Sequence, residues 1–396
     1  MNRSLLACRK LLLVGGLVIL AGCQPGSRPD REAGAPPFVF RALDLRQQDA
    51  QGRRLWEISS SQARYDLRRK LAQATDLRGT IYLAGQPRYR VLASNGIVIN
   101  DGEVVQLEGT IRLEQIDDPP ALITASRARW LPGRQLLELD HKPSAFNDHF
   151  NIRGKSARFR FDQERLELRG QPTMQGWSQP FNPLRSLPQG PPELTLQARQ
   201  VVWHPRSGQL EASGPIRAQR QARPTSAPAS PEASRGTPAP GSAAGDTQML
   251  SAGALQGNTT SQIFRLLAPM RLHDQGQNTT LVAPGLVVDL TQQLAATLPG
   301  PQGCQILRPG ETLRARRCQW NWAQQAAHAE GDVVLRRREN NQRSQAGRLD
   351  ARLGPASSVV LTAPGSRVIS QFRIPRALEP PRPAPPTRQG PEPIHL

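Results

Sequence analysis

Residues 93–113 read Ala93-Ser94-Asn95-Gly96-Ile97-Val98-Ile99-Asn100-Asp101-Gly102-Glu103-Val104-Val105-Gln106-Leu107-Glu108-Gly109-Thr110-Ile111-Arg112-Leu113. Asn100-Asp101-Gly102 is a turn signal, because glycine takes positive φ without a steric penalty and Asn and Asp tolerate it. After the turn, Val105, Leu107, Gly109, Ile111 and Leu113 alternate with Gln106, Glu108, Thr110 and Arg112. A period of two with β-branched residues predicts a strand with one buried face. The stretch therefore predicts two short strands about a tight turn.

Weaker copies follow along the chain. Ala63, Ala93, Ala125, Ala157 and Ala198 each open a similar segment, at spacings of 30, 32, 32 and 41 residues. Each is followed by a turn and an alternating run, such as Leu136–Leu139, Leu166–Gly170 or Leu210–Ile216. The longest step contains a proline-rich insertion, 172–192, expected to be a loop. A period near 30 residues with strand patterning predicts a stacked β-architecture in place of helical repeats. Helical periodicity is scarce, with one or two turns possible within Ser60–Ala74. Residues 221–247 are rich in Ala, Pro and Ser and lack the apolar content to offset ordering entropy. Beyond them, Ala283, Ala315 and Ala346 restore the spacing, and Gly331-Asp332-Val333-Val334-Leu335 resembles Gly109-Thr110-Ile111-Arg112-Leu113. The expected order is therefore a segment 1–22, a tether 23–37, a β-module 38–220, a linker 221–247, a second divergent β-module 248–374 and a proline-rich tail 375–396.

The first segment looks like an export signal. Arg3, Arg9 and Lys10 precede an apolar core of 11 residues, Leu11–Ala21. That is short for a membrane span and suits a signal sequence. Leu20-Ala21-Gly22-Cys23 resembles a bacterial lipobox, so Cys23 is expected to carry lipid after cleavage. An uncleaved anchor is the other reading. Loss of Arg3, Arg9 and Lys10 would lower the formal charge from +19 to +16. A basic exported chain meets anionic lipid or polysaccharide before nucleic acid. Arg68-Arg69-Lys70, Arg314/Arg316/Arg317 and Arg336-Arg337-Arg338 are the densest clusters, read either as a solvated face or as attraction to phosphorylated headgroups. Cys304 and Cys318 remain after export and can pair in an oxidising compartment. Pro309-Gly310 between them signals a turn, so a cross-strand disulfide is expected, against two free thiols.

The chain lacks a phosphate-binding glycine loop, a dinucleotide fingerprint, a Gly-x-Ser-x-Gly elbow and a His-x-x-x-His pair. The expectation is a non-enzymatic protein without metal or cofactor. Inward-facing Ile97, Ile99, Val105, Leu107, Ile111, Leu113, Leu166 and Leu168 fit either ordinary sandwich core or the wall of an apolar groove.

Gly52-Arg53-Arg54-Leu55-Trp56-Glu57-Ile58, Ala63-Arg64-Tyr65-Asp66, Ala93-Ser94-Asn95-Gly96 and Leu107-Glu108-Gly109-Thr110-Ile111 occur in order. This series resembles the LptC family of the lipopolysaccharide export machine, well over 38–170 and loosely beyond. The resemblance implies an all-β, open V-shaped jelly roll of antiparallel strands, built as two modules. It implies a groove that accepts lipopolysaccharide from an inner-membrane permease–ATPase complex and passes it to an LptA-like periplasmic bridge. The expected location is the periplasm, lipid-anchored at the inner membrane in preference to the outer, in a Gram-negative-type bacterium. A structural or adhesive envelope lipoprotein is the alternative. This chain departs from familiar members in its length and in having a lipobox where they have a membrane helix.

Overall fold

Extended backbone sends successive side chains to opposite faces, so alternating sequence needs a second layer to cover its apolar face. The computed structural model describes residues 38–221, 247–339, 341–352 and 358–373. The segments 1–22 and 23–37 with Cys23, nearly all of the linker and the tail from 375 lie outside the described residues.

The first strands are β1 (Phe38–Phe40), β2 (Leu43–Gln48), β3 (Arg54–Ser60), β4 (Gln62–Asp66), β5 (Leu71–Leu83), β6 (Gln86–Ile99), β7 (Val104–Gln115), β8 (Leu122–Leu131) and β9 (Leu136–Asp140). Next come β10 (Ser144–Phe146), β11 (Phe150–Arg153), β12 (Ser156–Arg160), β13 (Arg165–Arg169), β14 (Thr173–Gly176), β15 (Leu194–Gln197), β16 (Gln200–Trp203) and β17 (Gln209–Gln221). The remainder are β18 (Thr247–Asn258), β19 (Ile263–Asp274), β20 (Thr279–Asp289), β21 (Leu294–Thr297), β22 (Cys304–Arg308), β23 (Glu311–Ala315), β24 (Arg317–Asn321), β25 (Ala326–Arg337), β26 (Gln342–Arg352), β27 (Ser358–Thr362) and β28 (Ile369–Gln371). Single 3₁₀ turns at Asn100–Gly102 and Pro132–Arg134 are the only helical elements among the described residues.

Two antiparallel ladders run through this series. Layer A passes through β1, β4–β9, β12, β13, β16–β21, β24–β27. Layer B passes through β2, β3, β5–β8, β10, β11, β14, β15, β17–β20, β22, β23, β25, β26 and β28. The long strands β5–β8, β17–β20, β25 and β26 bend and serve both layers, so the layers face each other across a common corner. The fold is all-β, an open jelly roll of antiparallel strands.

The corners are β-bulges, which bend a strand by adding an unpaired residue. Register shifts fall between Glu108 and Ile111 and between Glu330 and Val333. Gly109 and Gly331 occupy these two bulges at φ +90° and +76°. At Gly109 a Cβ would lie 2.7 Å from Ser94 Cβ, so both the backbone and the close approach require glycine. The repeat-opening alanines Ala63, Ala93, Ala125, Ala157 and Ala198 are all buried. Small side chains suit the narrow space beside the corners.

The hairpin quoted first forms as two directly paired strands, with Ile99 opposite Val104 and Val98 opposite Val105. Ser60–Ala74 is strand and turn in β4 and β5, because alternating burial holds there. The insertion 172–192 is not all loop: β14 pairs with β11 and β15 at its start. The two modules share a hydrogen-bonded seam. β17 pairs with β18 from Gln209 opposite Asn258 to Gln221 opposite Thr247.

Candidate functional site

The space between the layers differs along the molecule. In the first module large side chains fill it. Trp56 of layer B packs edge-on against Trp130 of layer A, with centroids 5.5 Å apart. Tyr89 likewise meets Phe159 and Phe161 at 5.3 and 5.6 Å. Such edge-to-face pairs add to the stabilisation from burial. Burial, then the Glu164 carboxylate, push the Tyr89 phenol far above its ordinary pKa, and its hydroxyl donates to Glu164. A small void among Ile58, Leu77, Val105, Leu107 and Trp130 measures about 10 Å³.

Val105, Leu107, Ile111, Leu113, Leu166 and Leu168 are therefore buried core, each at most 2% exposed. Ile97 and Ile99 do not join them. Ile97 pairs with Gln73 and Gln106 on the outer face, while Gly96 and Val98 point inward. The expectation that Ile97 and Ile99 line the interior is corrected by the bulge between Leu92 and Asn95: Tyr89, Val91 and Ala93 face in before it, and Gly96 and Val98 after it.

An open groove begins at the end of the first module, at Met174, Leu194, Leu196 and Ala218, and runs through the second. One cavity of about 100 Å³ lies among Leu250, Leu266, Leu272, Val288, Ala295 and Trp320. A second, of about 120 Å³, continues past Leu272, Ala295 and Trp320 to Leu313, Leu335 and Ala351. Register explains the shape. On layer B, Leu250, Leu272, Leu281, Ile306, Leu313 and Leu335 form one row across successive strands. On layer A the facing row is Val288, Ala295, Trp320, Ala327, Ala351 and Val359. Ala295, Ala327 and Ala351 take three of these six positions, leaving less side-chain volume between the layers than Trp56, Trp130, Tyr89, Phe159 and Phe161 supply in the first module. A broader depression of about 520 Å³ lies outside the sandwich at the N-terminal end, over Arg46, Glu57, Arg78 and Arg90; charged walls suit no apolar guest.

The two lips of the groove differ. Layer A carries further apolar residues beyond its row, Leu290 and Trp322. Layer B ends on polar residues in register: Arg220 opposite Gln248, Gln248 opposite Asp274, Asp274 opposite Thr279, Arg308 opposite Glu311, and Glu311 opposite Arg337. Gln248 donates to Asp274 at 3.3 Å, and Arg308 donates to Thr279 and Gln277 at 2.8 and 2.9 Å. Arg337 and Glu311 form an ion pair at 2.7 Å. Arg220 crosses the mouth and lies 4.9 Å over the Trp322 ring of the opposite layer. Burial depresses the Arg220 guanidinium below its ordinary pKa, with Glu193 opposing.

Cys304 and Cys318 are joined by a disulfide with a Cα–Cα distance of 6.1 Å. The bond does not lie across the hairpin of the Pro309-Gly310 turn, where Cys304 pairs with Ala315. It connects layer B at β22 to layer A at β24, and Cys318 lines the groove. Among the described residues no His/Cys/Asp/Glu cluster is placed to hold a metal.

Sequence reasoning located the strands of this groove, including Cys318-Gln319-Trp320-Asn321-Trp322 and Leu286-Val287-Val288, without assigning them to it. The available signal was the recurrence of alanine at inward positions, Ala295, Ala327 and Ala351, beside Trp320. Arg337, within a cluster noted for its charge, is the one of that triplet that turns inward; Arg336 and Arg338 are exposed.

The family model described as lipopolysaccharide-assembly, LptC-related, matches residues 11–174. No curated protein matches the chain. Among solved structures, the chain is similar to LptH, the LptA homologous periplasmic component of the conserved lipopolysaccharide transport device from Pseudomonas aeruginosa. The identity is 14%, over 26% of this chain and 75% of that one, with a TM-score of 0.23. A likeness of that size carries no argument about function.

Proposed function

With residues 11–174 in the LptC-related lipopolysaccharide-assembly family, we propose that this protein is a non-enzymatic carrier of lipopolysaccharide in the cell envelope. In this reading it is held to the inner membrane by lipid on Cys23, faces the periplasm, and takes lipopolysaccharide from the permease–ATPase complex. It passes the lipid to an LptA-like bridge. The observation that carries the reading is the open apolar groove between the layers of the second module. Each acyl methylene leaving water for such a wall contributes about 0.8 kcal/mol, so several chains bind firmly without a catalytic group.

Apart from Met174 the groove is lined by residues beyond the family match, and large side chains fill the described interior of the matched part. The first module then acts as the connecting stack and the second as the lipid-holding part. A photo-crosslinking residue at Leu272 or Ala327 should capture lipopolysaccharide in cells, in a manner that depends on ATP hydrolysis by the transporter. The same probe at Leu107, inside the packed core, should capture little. Adducts absent from every second-module position would exclude the carrier reading. They would leave the structural or adhesive alternative.

A further inference from the structure

The asymmetry of the groove mouth identifies more than an apolar guest. Layer A presents Val288, Leu290, Trp320 and Trp322 toward the mouth, while layer B presents a hydrogen-bonded polar row. A ligand lying in this groove has its apolar chains against both walls and its polar part against one lip only. A free fatty acid needs a single polar contact. The row instead spans several strands and alternates donors with acceptors, which suits a head bearing many hydroxyls.

Charge along the row narrows the head further. Asp274 already accepts from the Gln248 side chain and the Gln277 backbone amide, at 3.3 and 2.9 Å. Glu311 is engaged by Arg337 at 2.7 Å. Arg308 is oriented by two neutral acceptors, Thr279 and Gln277, at 2.8 and 2.9 Å. Its guanidinium is thus fixed in place by contacts that leave its charge uncompensated at hydrogen-bonding distance. A pre-oriented guanidinium on a partly buried lip is the geometry that favours a phosphate oxygen pair.

Resting on the carrier reading above, we propose that the lip of layer B is a headgroup site for an acylated, phosphorylated sugar. Arg308 is its phosphate contact. The chains then point toward the corner and the sugar phosphate lies along β19, β20, β22 and β23. The site is absent from the first module, where the corresponding lip carries Phe150, Gly176 and Leu194 in register.

The test uses the full chain in detergent and measures displacement of a fluorescent lipid by three probes. These are bis-phosphorylated lipid A, the same lipid A after phosphatase treatment, and phosphatidylglycerol. Wild type should bind the phosphorylated lipid A about tenfold tighter than the dephosphorylated form, the scale of one charge-assisted contact. R308A should remove that preference by weakening only the phosphorylated probe, and R308K should restore part of it. Equal binding of both lipid A forms by wild type, or equal weakening of both by R308A, overturns the headgroup site. Phosphatidylglycerol binding as tightly as phosphorylated lipid A overturns the sugar-phosphate assignment. L272W fills the groove and should weaken all three probes. If L272W, shown folded by its thermal midpoint, leaves all three unchanged, the carrier reading itself fails, which separates that failure from failure of the lip. The wild-type comparison needs no variant and stands even where a substitution misfolds.

Discussion

Gly109 shows how one residue shapes the molecule. At φ +90° and with Ser94 Cβ 2.7 Å from the position of an added Cβ, it allows β7 to leave one layer and enter the other. Gly331 repeats the arrangement against Arg316, at 2.9 Å. Gly109→Ala should cost about 1–3 kcal/mol from backbone strain alone, with more from the clash. Gly133→Ala is the control, because nothing lies within 4 Å of its Cβ position and its φ is ordinary. It should stay within about 0.5 kcal/mol of the parent. Chemical denaturation of both variants checks the pair, and equal stabilities would show that the corner is not held by glycine. The motif Leu107-Glu108-Gly109 was readable as a repeat mark. Its meaning as a corner was not, because positive φ marks turns and bulges alike.

At the level of strands, the joint between the modules is a hairpin whose ends meet. Gln221 and Thr247 are register partners, so the segment 222–246 connects two points a strand spacing apart. Replacing that segment with Asn-Gly should leave the fold intact, because a two-residue turn joins antiparallel strands in register. The shorter loop should raise stability by up to about 2 kcal/mol, since closure entropy grows by about 0.6 kcal/mol per doubling of loop length. Far-ultraviolet circular dichroism and the thermal midpoint check this. A lowered midpoint would mean that the strands need the long connection. The low complexity of 221–247 was legible in composition. The direct pairing on either side was not, because hydrogen-bond partners so far apart in sequence leave no local pattern.

Across the whole molecule, the two ladders start and stop at exposed edges. β1 and β2 lie at one end, with Phe38 and Val39 exposed, and β27 and β28 at the other, with Val360 55% and Ile369 54% exposed. Among the described residues each of these strands has one paired side. Open edges accept further strands, so a stack built this way can lengthen through its neighbours. If β27 receives the bridge protein, Val360→Lys should reduce its co-purification by about tenfold while leaving the thermal midpoint unchanged, because a lysine on an edge opposes strand addition. Unreduced co-purification would assign that contact to another edge.

The sequence by itself determined the class of the fold, the strand spacing and the inward faces of most strands. These follow from local rules: period-two patterning and turn chemistry. Only the tertiary structure decided where the layers close and where they stay open. Leu107 and Leu272 both sit on inward faces of alternating strands, yet one is core and the other is groove wall. The difference lies in what stands opposite: Trp56, Trp130 and Tyr89 fill the first module, while Ala295, Ala327 and Ala351 leave room in the second. Side-chain volume across the gap, contributed by residues far away in sequence, sets the width of the groove.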